Sequence, residues 1–220
     1  MKMILKLGII IYIIIACIHL TMCFIEQEKW RKVTKPMLMI TLLVTSIIYG
    51  YNSNQLTPIL YFAIGLGLIG DILLIFDNNH LIFGVGGVTF FFGHVLYIVQ
   101  MISALPFTIK WYFYFILALF LIAWCVLTTP KLKSNLKILA LPCSIYSFIL
   151  MFGVVIGMIS LLTNISVGNL MLVIGFLLFI VSDTILVVAV FYKNIKRYHF
   201  YLMIPYIIAQ LLLAYGILLR

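Results

Sequence analysis

Five of the 220 residues are acidic, and two of them stand where an acid is expensive. Asp71 and Asp183 each interrupt a long apolar run, whereas Glu26, Glu28 and Asp77 lie in the polar text between runs. An aspartate at the centre of a membrane helix costs about 2.5–3.5 kcal/mol on insertion scales, and Asn, Gln or Ser supplies interhelical hydrogen bonds more cheaply. Two such carboxylates suit acid–base chemistry in which one delivers a proton while the other stays ionised. Glycoside hydrolysis is the template. Any substrate that passes through an oxocarbenium ion can use the pair, and a lipid-dissolved substrate would explain an intramembrane site. The plainer alternative is that both acids are structural, bonded to Ser182, Tyr97 or a backbone carbonyl. His94, in Phe91-Phe92-Gly93-His94-Val95-Leu96-Tyr97, adds an imidazole in mid-span with Tyr97 one turn later on the same face. Gln210, four residues after Tyr206, reads as interhelical glue; His19, His199 and His80 read as interfacial or incidental.

Other chemistries fit the text less well. The stretch GLGLIGDILL, residues 65–74, matches the dinucleotide fingerprint G-x-G-x-x-G. That motif needs a preceding strand, an open helix N-terminus and an acid about 20 residues on. Gly65, Gly67 and Gly70 instead sit inside an apolar run, where glycine lets neighbouring helices approach closely. Asp71, His94 and Asp183 are three potential ligands from three spans, but no pair has the H-x-x-x-H spacing of a zinc helix, so neither a metal nor a cofactor is expected. There is no G-x-S-x-G nucleophile elbow, and Ser182 points about 100° around the helix from Asp183. No lysine lies in mid-span for a Schiff base. Cys17, Cys23, Cys125 and Cys143 form no C-x-x-C pair and read as buried small hydrophobes.

The elements that must hold these groups are set by composition. Hydrophobic residues make up 66% of the chain, charged residues 9%, and mean hydropathy is +1.29; soluble domains are roughly 45–50% apolar. Cutting at polar clusters leaves about eight apolar stretches, over residues 5–25, 36–51, 58–76, 81–105, 111–128, 138–161, 168–192 and 200–219. The expected fold is therefore all-α, a bundle of eight transmembrane helices in a single integral-membrane domain spanning residues 1–220. The first stretch reads as a membrane helix, since a cleaved lipoprotein signal would pass into a polar linker. Pro36, Pro58, Pro106 and Pro130 are expected at helix ends, Pro142 and Pro205 inside helices.

The net charge of +9 is placed for a membrane, with no nucleic acid implied. Lys29, Arg31, Lys32, Lys35, Lys131, Lys133, Lys137, Lys193, Lys196 and Arg197 fall on one side of the eight-span arrangement; Lys2, Lys6, Lys110 and Arg220 fall on the other. The positive-inside rule makes the rich side cytoplasmic and both termini extracytoplasmic, and the bias attracts anionic membrane lipids. The third and seventh spans then run the same way, with Asp71 and Asp183 in their cytoplasmic halves, facing one cavity. Gly70-Asp71-Ile72-Leu73-Leu74 and Ser182-Asp183-Thr184-Ile185-Leu186 are what a weak 4+4 parallel duplication would leave.

Lys35-Pro36 opening the second span, Gly70-Asp71, Phe91-x-x-His94-x-x-Tyr97, Ser182-Asp183 and Tyr206-x-x-x-Gln210, in this order, resemble the YhhN-like lysoplasmalogenase family. Tyr146 is a further position suggested by the match. The resemblance implies hydrolysis of the vinyl ether bond of a lysoplasmalogen, releasing a fatty aldehyde and a glycerophospho-alcohol. It implies Asp71 and Asp183 as acid and base in either order, and His94 with them in catalysis. Lys35, Tyr97, Ser182, Tyr206 and Gln210 would contact a lysophospholipid in the bilayer, with Lys35 either on the phosphate or simply anchoring topology. A small proton-coupled transporter using the acids and His94 as a relay, or a lipid-binding sensor, are the rival readings; transport predicts flux without bond cleavage. The text carries no signal for an oligomeric state.

Overall fold

The computed structural model describes residues 2–76, 80–105, 140–191 and 195–220, with residues 115, 118 and 119. Seven long helices are described: α1 (Lys2–Phe24), α2 (Glu28–Ser53), α3 (Pro58–Leu73), α4 (His80–Ile102), α5 (Ala140–Thr163), α6 (Val167–Phe191) and α7 (Tyr198–Leu218), with a 3₁₀ turn at Leu74–Phe76. Six are long and apolar enough to cross a membrane; α3, at 16 residues, is shorter. Their outward faces are apolar, with Ile10, Ile14 and Ile18 of α1 exposed on one stripe, as lipid requires and water does not. Every backbone group of a lipid-exposed span must be paired within its own helix, which is why helices carry this chain. Apart from residues 115, 118 and 119, the expected fifth span at 111–128 lies outside the described residues, as do Pro106, Pro130, Cys125 and the lysines at 110, 131, 133, 137 and 193, so the eight-span count and the 4+4 duplication stay expectations.

Side-chain ties fix which ends lie together. Tyr215 of α7 donates to the Leu5 carbonyl of α1 at 3.3 Å. The Arg220 guanidinium donates to the carbonyls of Gln100 and Met101 at the end of α4, at 3.1 and 3.0 Å. Asn169 of α6 donates to the Ser160 carbonyl of α5 at 3.1 Å. The start of α1 and the ends of α4, α5 and α7 thus share one face. The opposite face carries Arg31, Lys32, Lys35, Lys196 and Arg197.

One boundary differs from expectation. Pro36 does not sit at a helix end, and Lys35 does not open the helix: α2 begins at Glu28 and runs 26 residues with Pro36 inside it. Residues 28–35 are too charged to read as membrane, yet at 1.5 Å per residue α2 is about 39 Å long, more than a hydrocarbon core of about 30 Å, so its first turns stand in the headgroup layer. The spacing of Arg31, Lys35, Leu38 and Leu42 then puts two cations on the face that buries Leu38, Met39 and Leu42. Pro58 does start α3, and Pro142 and Pro205 lie within α5 and α7.

Of the three glycines in residues 65–74, Gly67 and Gly70 are packing residues as expected, and Gly65 is not. A Cβ on Gly70 would lie 2.7 Å from the Phe90 ring and 2.9 Å from Thr89 Oγ1 of α4, and one on Gly67 would lie 2.8 Å from Met39; at Gly65 nothing lies within 4 Å. Gly70→Ala is expected to lower stability by about 1–3 kcal/mol in a thermal melt, because Phe90 is itself wedged against Phe179 and Tyr206. Gly65→Ala should leave the melt unchanged or raise it, helix propensity favouring alanine. Equal destabilisation by both would remove the packing account.

Candidate functional site

The centre of the bundle holds a connected set of polar groups. Asp71, fully buried near the end of α3, meets the Lys35 ammonium of α2 at 3.1 Å through Oδ1 and accepts a hydrogen bond from the Tyr206 hydroxyl of α7 at 2.6 Å through Oδ2. Lys35 lies 5.8 Å from the Tyr206 ring centroid. Gln210 Nε2, one turn beyond Tyr206, lies 3.4 Å from the Tyr206 hydroxyl. A carboxylate contacted by an ammonium and a phenolic O–H is complemented in its charged form.

Asp183 of α6 is served differently. Its carboxylate forms a side-chain hydrogen bond with Tyr146 of α5, and its Oδ2, buried, has no partner among the described residues. It also lies within electrostatic reach of Lys35, so one ammonium serves both acids.

His94 of α4 sits between the two halves. Its ring packs edge-on against Phe179 at 4.2 Å between centroids and lies 5.9 Å from Tyr146; Phe179 is 5.5 Å from Tyr206. Asp71, Tyr206, Phe179, His94, Tyr146 and Asp183 therefore form an unbroken run of neighbouring side chains. His94 Nδ1 lies 2.8 Å from the Phe90 carbonyl. A carbonyl only accepts, so Nδ1 carries the hydrogen, and in the neutral ring Nε2 keeps a lone pair. That Nε2, the Tyr97 hydroxyl and Gln210 Oε1 are buried and without partners among the described residues. Buried polar atoms are almost always satisfied by protein, water or ligand, so these three atoms are places where a water or a substrate group would be received. Among the described residues no three His, Cys, Asp or Glu side chains are grouped to hold a metal ion.

Ser182 turns away from Asp183, as helix geometry implies, and donates to the Leu202 carbonyl of α7 at 3.2 Å, which commits its hydrogen to helix packing. Two other residues stand differently from what the text suggested. Lys35 is committed to Asp71 instead of standing free at the surface. Tyr146, only a faint position in the sequence, is the direct partner of Asp183. His19 and His199, which read as interfacial or incidental in the sequence, also stand differently. His19 is fully buried, with Nδ1 2.7 Å from Thr34 Oγ1 and Nε2 3.4 Å from Cys23 Sγ. With His199, Arg31, Lys32 and Lys35 it lines a small pocket on the basic face. The available signal was the inward register of Arg31 and Lys35 once α2 is extended back to Glu28. Cys17, Cys23 and Cys143 are free thiols; Cys23 is buried as expected, but Cys17 is exposed.

In comparison with known proteins, the model of the YhhN family matches residues 30–217. No curated protein and no solved structure matches the chain.

Proposed function

Because this multi-pass membrane protein belongs to the YhhN family, we propose that it is a lysoplasmalogenase, cleaving the vinyl ether bond of a lysolipid by acid–base catalysis within the bundle. The observation that carries the reading is the unequal treatment of two acids near one ammonium: fully buried Asp71 meets Lys35 at 3.1 Å and the Tyr206 hydroxyl at 2.6 Å, while half-buried Asp183 has Tyr146 and an Oδ2 without a partner among the described residues. Environments that differ in this way divide the acid and base roles between paired carboxyls.

In the proposed reaction Asp183, as the carboxylic acid, delivers a proton to the vinyl carbon distal to the ether oxygen. The adjacent carbon becomes an oxocarbenium ion, and the Asp71 carboxylate, held by Lys35 and Tyr206, stabilises its charge. His94 Nε2 removes a proton from the water that adds to the cationic carbon, giving a hemiacetal. Collapse of the hemiacetal breaks the bond to the glycerol oxygen, which takes up the proton leaving the hemiacetal hydroxyl, yielding an aldehyde and a glycerophospho-alcohol, and the proton on His94 returns to Asp183. Tyr146 orients Asp183, and Gln210 orients Tyr206. The net change is the addition of one water across the ether.

Purified protein in detergent, given a 1-alkenyl lysophospholipid in deuterated water, is expected to release aldehyde carrying one deuterium on the carbon next to the carbonyl, with chelator making no difference. Loss of turnover with chelator would replace the scheme with a metal-dependent one. Movement of intact lysolipid across vesicles with no aldehyde would instead favour the carrier reading.

A further inference from the structure

The pocket on the basic face is not used by the chemistry above, and its composition is one-sided. It has a volume of about 40 Å³ and is walled by His19, Arg31, Lys32, Lys35 and His199, with apolar side chains from α7 and the 3₁₀ turn. Of the lining cations, Lys35 has its charge already met by Asp71 at 3.1 Å. Arg31, with 13% of its side chain exposed, has only Glu28 for an ionic partner among the described residues, at 3.9 Å; Lys32 also reaches Glu28, at 3.6 Å, and Glu28 itself is 72% exposed. Two cations thus close over a cavity whose carboxylate neighbours are one spent on Lys35 and one loosely held in solvent. Such a site selects an anion with several acceptor oxygens, and the planar guanidinium fork suits phosphate.

What lies next to the pocket says how that phosphate is carried. The pocket occupies the end of the seam between α1 and α7, at His19 and His199. Further along the same seam, between Tyr12 and Leu20 of α1 and Ile204 and Leu211 of α7, runs a second cavity of about 200 Å³ whose wall is almost wholly apolar. A cationic cup heading an apolar groove is the shape of a single-chain phospholipid, head at the basic face and chain along the seam. Lys35, which lines the cup, joins it to Asp71 at 3.1 Å.

We propose that Arg31 and Lys32 bind the phosphate of a single-chain phospholipid in this pocket, with its hydrocarbon chain in the α1–α7 groove. The inference rests on the lipid-cleaving reading and deepens it, by giving the headgroup its own site apart from Lys35. The phosphate then sits at the membrane face while the bond beside the glycerol reaches down to Asp71.

The test is binding without turnover. An uncleavable 1-O-alkyl lysophospholipid is titrated against the purified chain in detergent, with 1-O-alkylglycerol, glycerol phosphate and inorganic phosphate as separate arms. The phosphorylated lipid is expected to bind at least about tenfold more tightly than the alkylglycerol. The double variant Arg31→Gln with Lys32→Gln should erase that difference while leaving alkylglycerol binding and the thermal melt unchanged. Restoration by Arg31→Lys with Lys32 kept would support charge as the cause. If the double variant keeps the preference, the pocket is not the phosphate site. If inorganic phosphate binds as tightly as the lipid, the cup holds a free anion and the lipid assignment falls. A chain that binds the uncleavable lipid as stated but releases no aldehyde from a vinyl ether would fail the hydrolase reading alone; one that cleaves with the preference absent would fail this inference alone.

Discussion

Asp183→Asn is expected to lower turnover of a vinyl ether lysolipid by about 10²–10⁴-fold, the range general acids contribute, with little change in stability. The substitution is isosteric and keeps an acceptor for Tyr146, so the packing between α5 and α6 is retained; what it removes is the proton to be delivered. The direct ionic contact in the site belongs to Asp71 and Lys35, so no close ion pair is broken. Aldehyde release and a thermal melt on the same sample decide the matter. A variant that stays folded and retains more than about a tenth of native turnover would exclude Asp183 as the acid. His94→Gln should fall in the same direction by removing the Nε2 base.

Lys35→Met is expected to produce the largest loss of stability of any single surface-proximal change, about 3–5 kcal/mol, because it strands a buried carboxylate. The Asp71 side chain is fully buried and that of Lys35 is only 16% exposed, so water cannot take over the missing charge. Adding Asp71→Asn to Lys35→Met should recover most of that loss, since a neutral pair carries no desolvation penalty and the asparagine oxygen still accepts from Tyr206. Turnover should not return, because the carboxylate facing the oxocarbenium ion is gone. A denaturation cycle of the two single variants and the double measures the coupling. Coupling below about 1 kcal/mol would mean that the pair behaves as an exposed salt bridge and does not organise the site.

Much of this architecture is legible in the amino-acid text. Apart from the start of α2, the apolar runs give the described helices to within a few residues, because a membrane span is specified by length and composition more than by packing. Asp71, Asp183 and His94 announce themselves through the cost of burying them. The Gly67 and Gly70 positions are legible once the dinucleotide reading is set aside for lack of a strand. What the text hides are pairings between distant segments. Lys35 reads as a topology anchor since nothing local couples it to Asp71, and Tyr146 reads as one more aromatic in an apolar run until α5 is seen against α6. Arg31 and His199 are far apart in the chain, and only the folded bundle brings both to one pocket. The start of α2 was misjudged for a related reason: a helix that emerges into headgroups is charged like a loop.

The shortness of α3 has a consequence for how deep the substrate must travel. Sixteen residues rise about 24 Å, several ångströms less than an average hydrocarbon core. A bilayer meets a short span by thinning around it. Asp71 is two residues from the end of that span, so a thinned annulus would bring glycerol backbones and water down to its level. A lipid can then present its first chain bond to the carboxylate without leaving its leaflet. Reconstitution into progressively thicker bilayers should therefore slow the protein, as a thicker annulus lifts the scissile bond away from the acid.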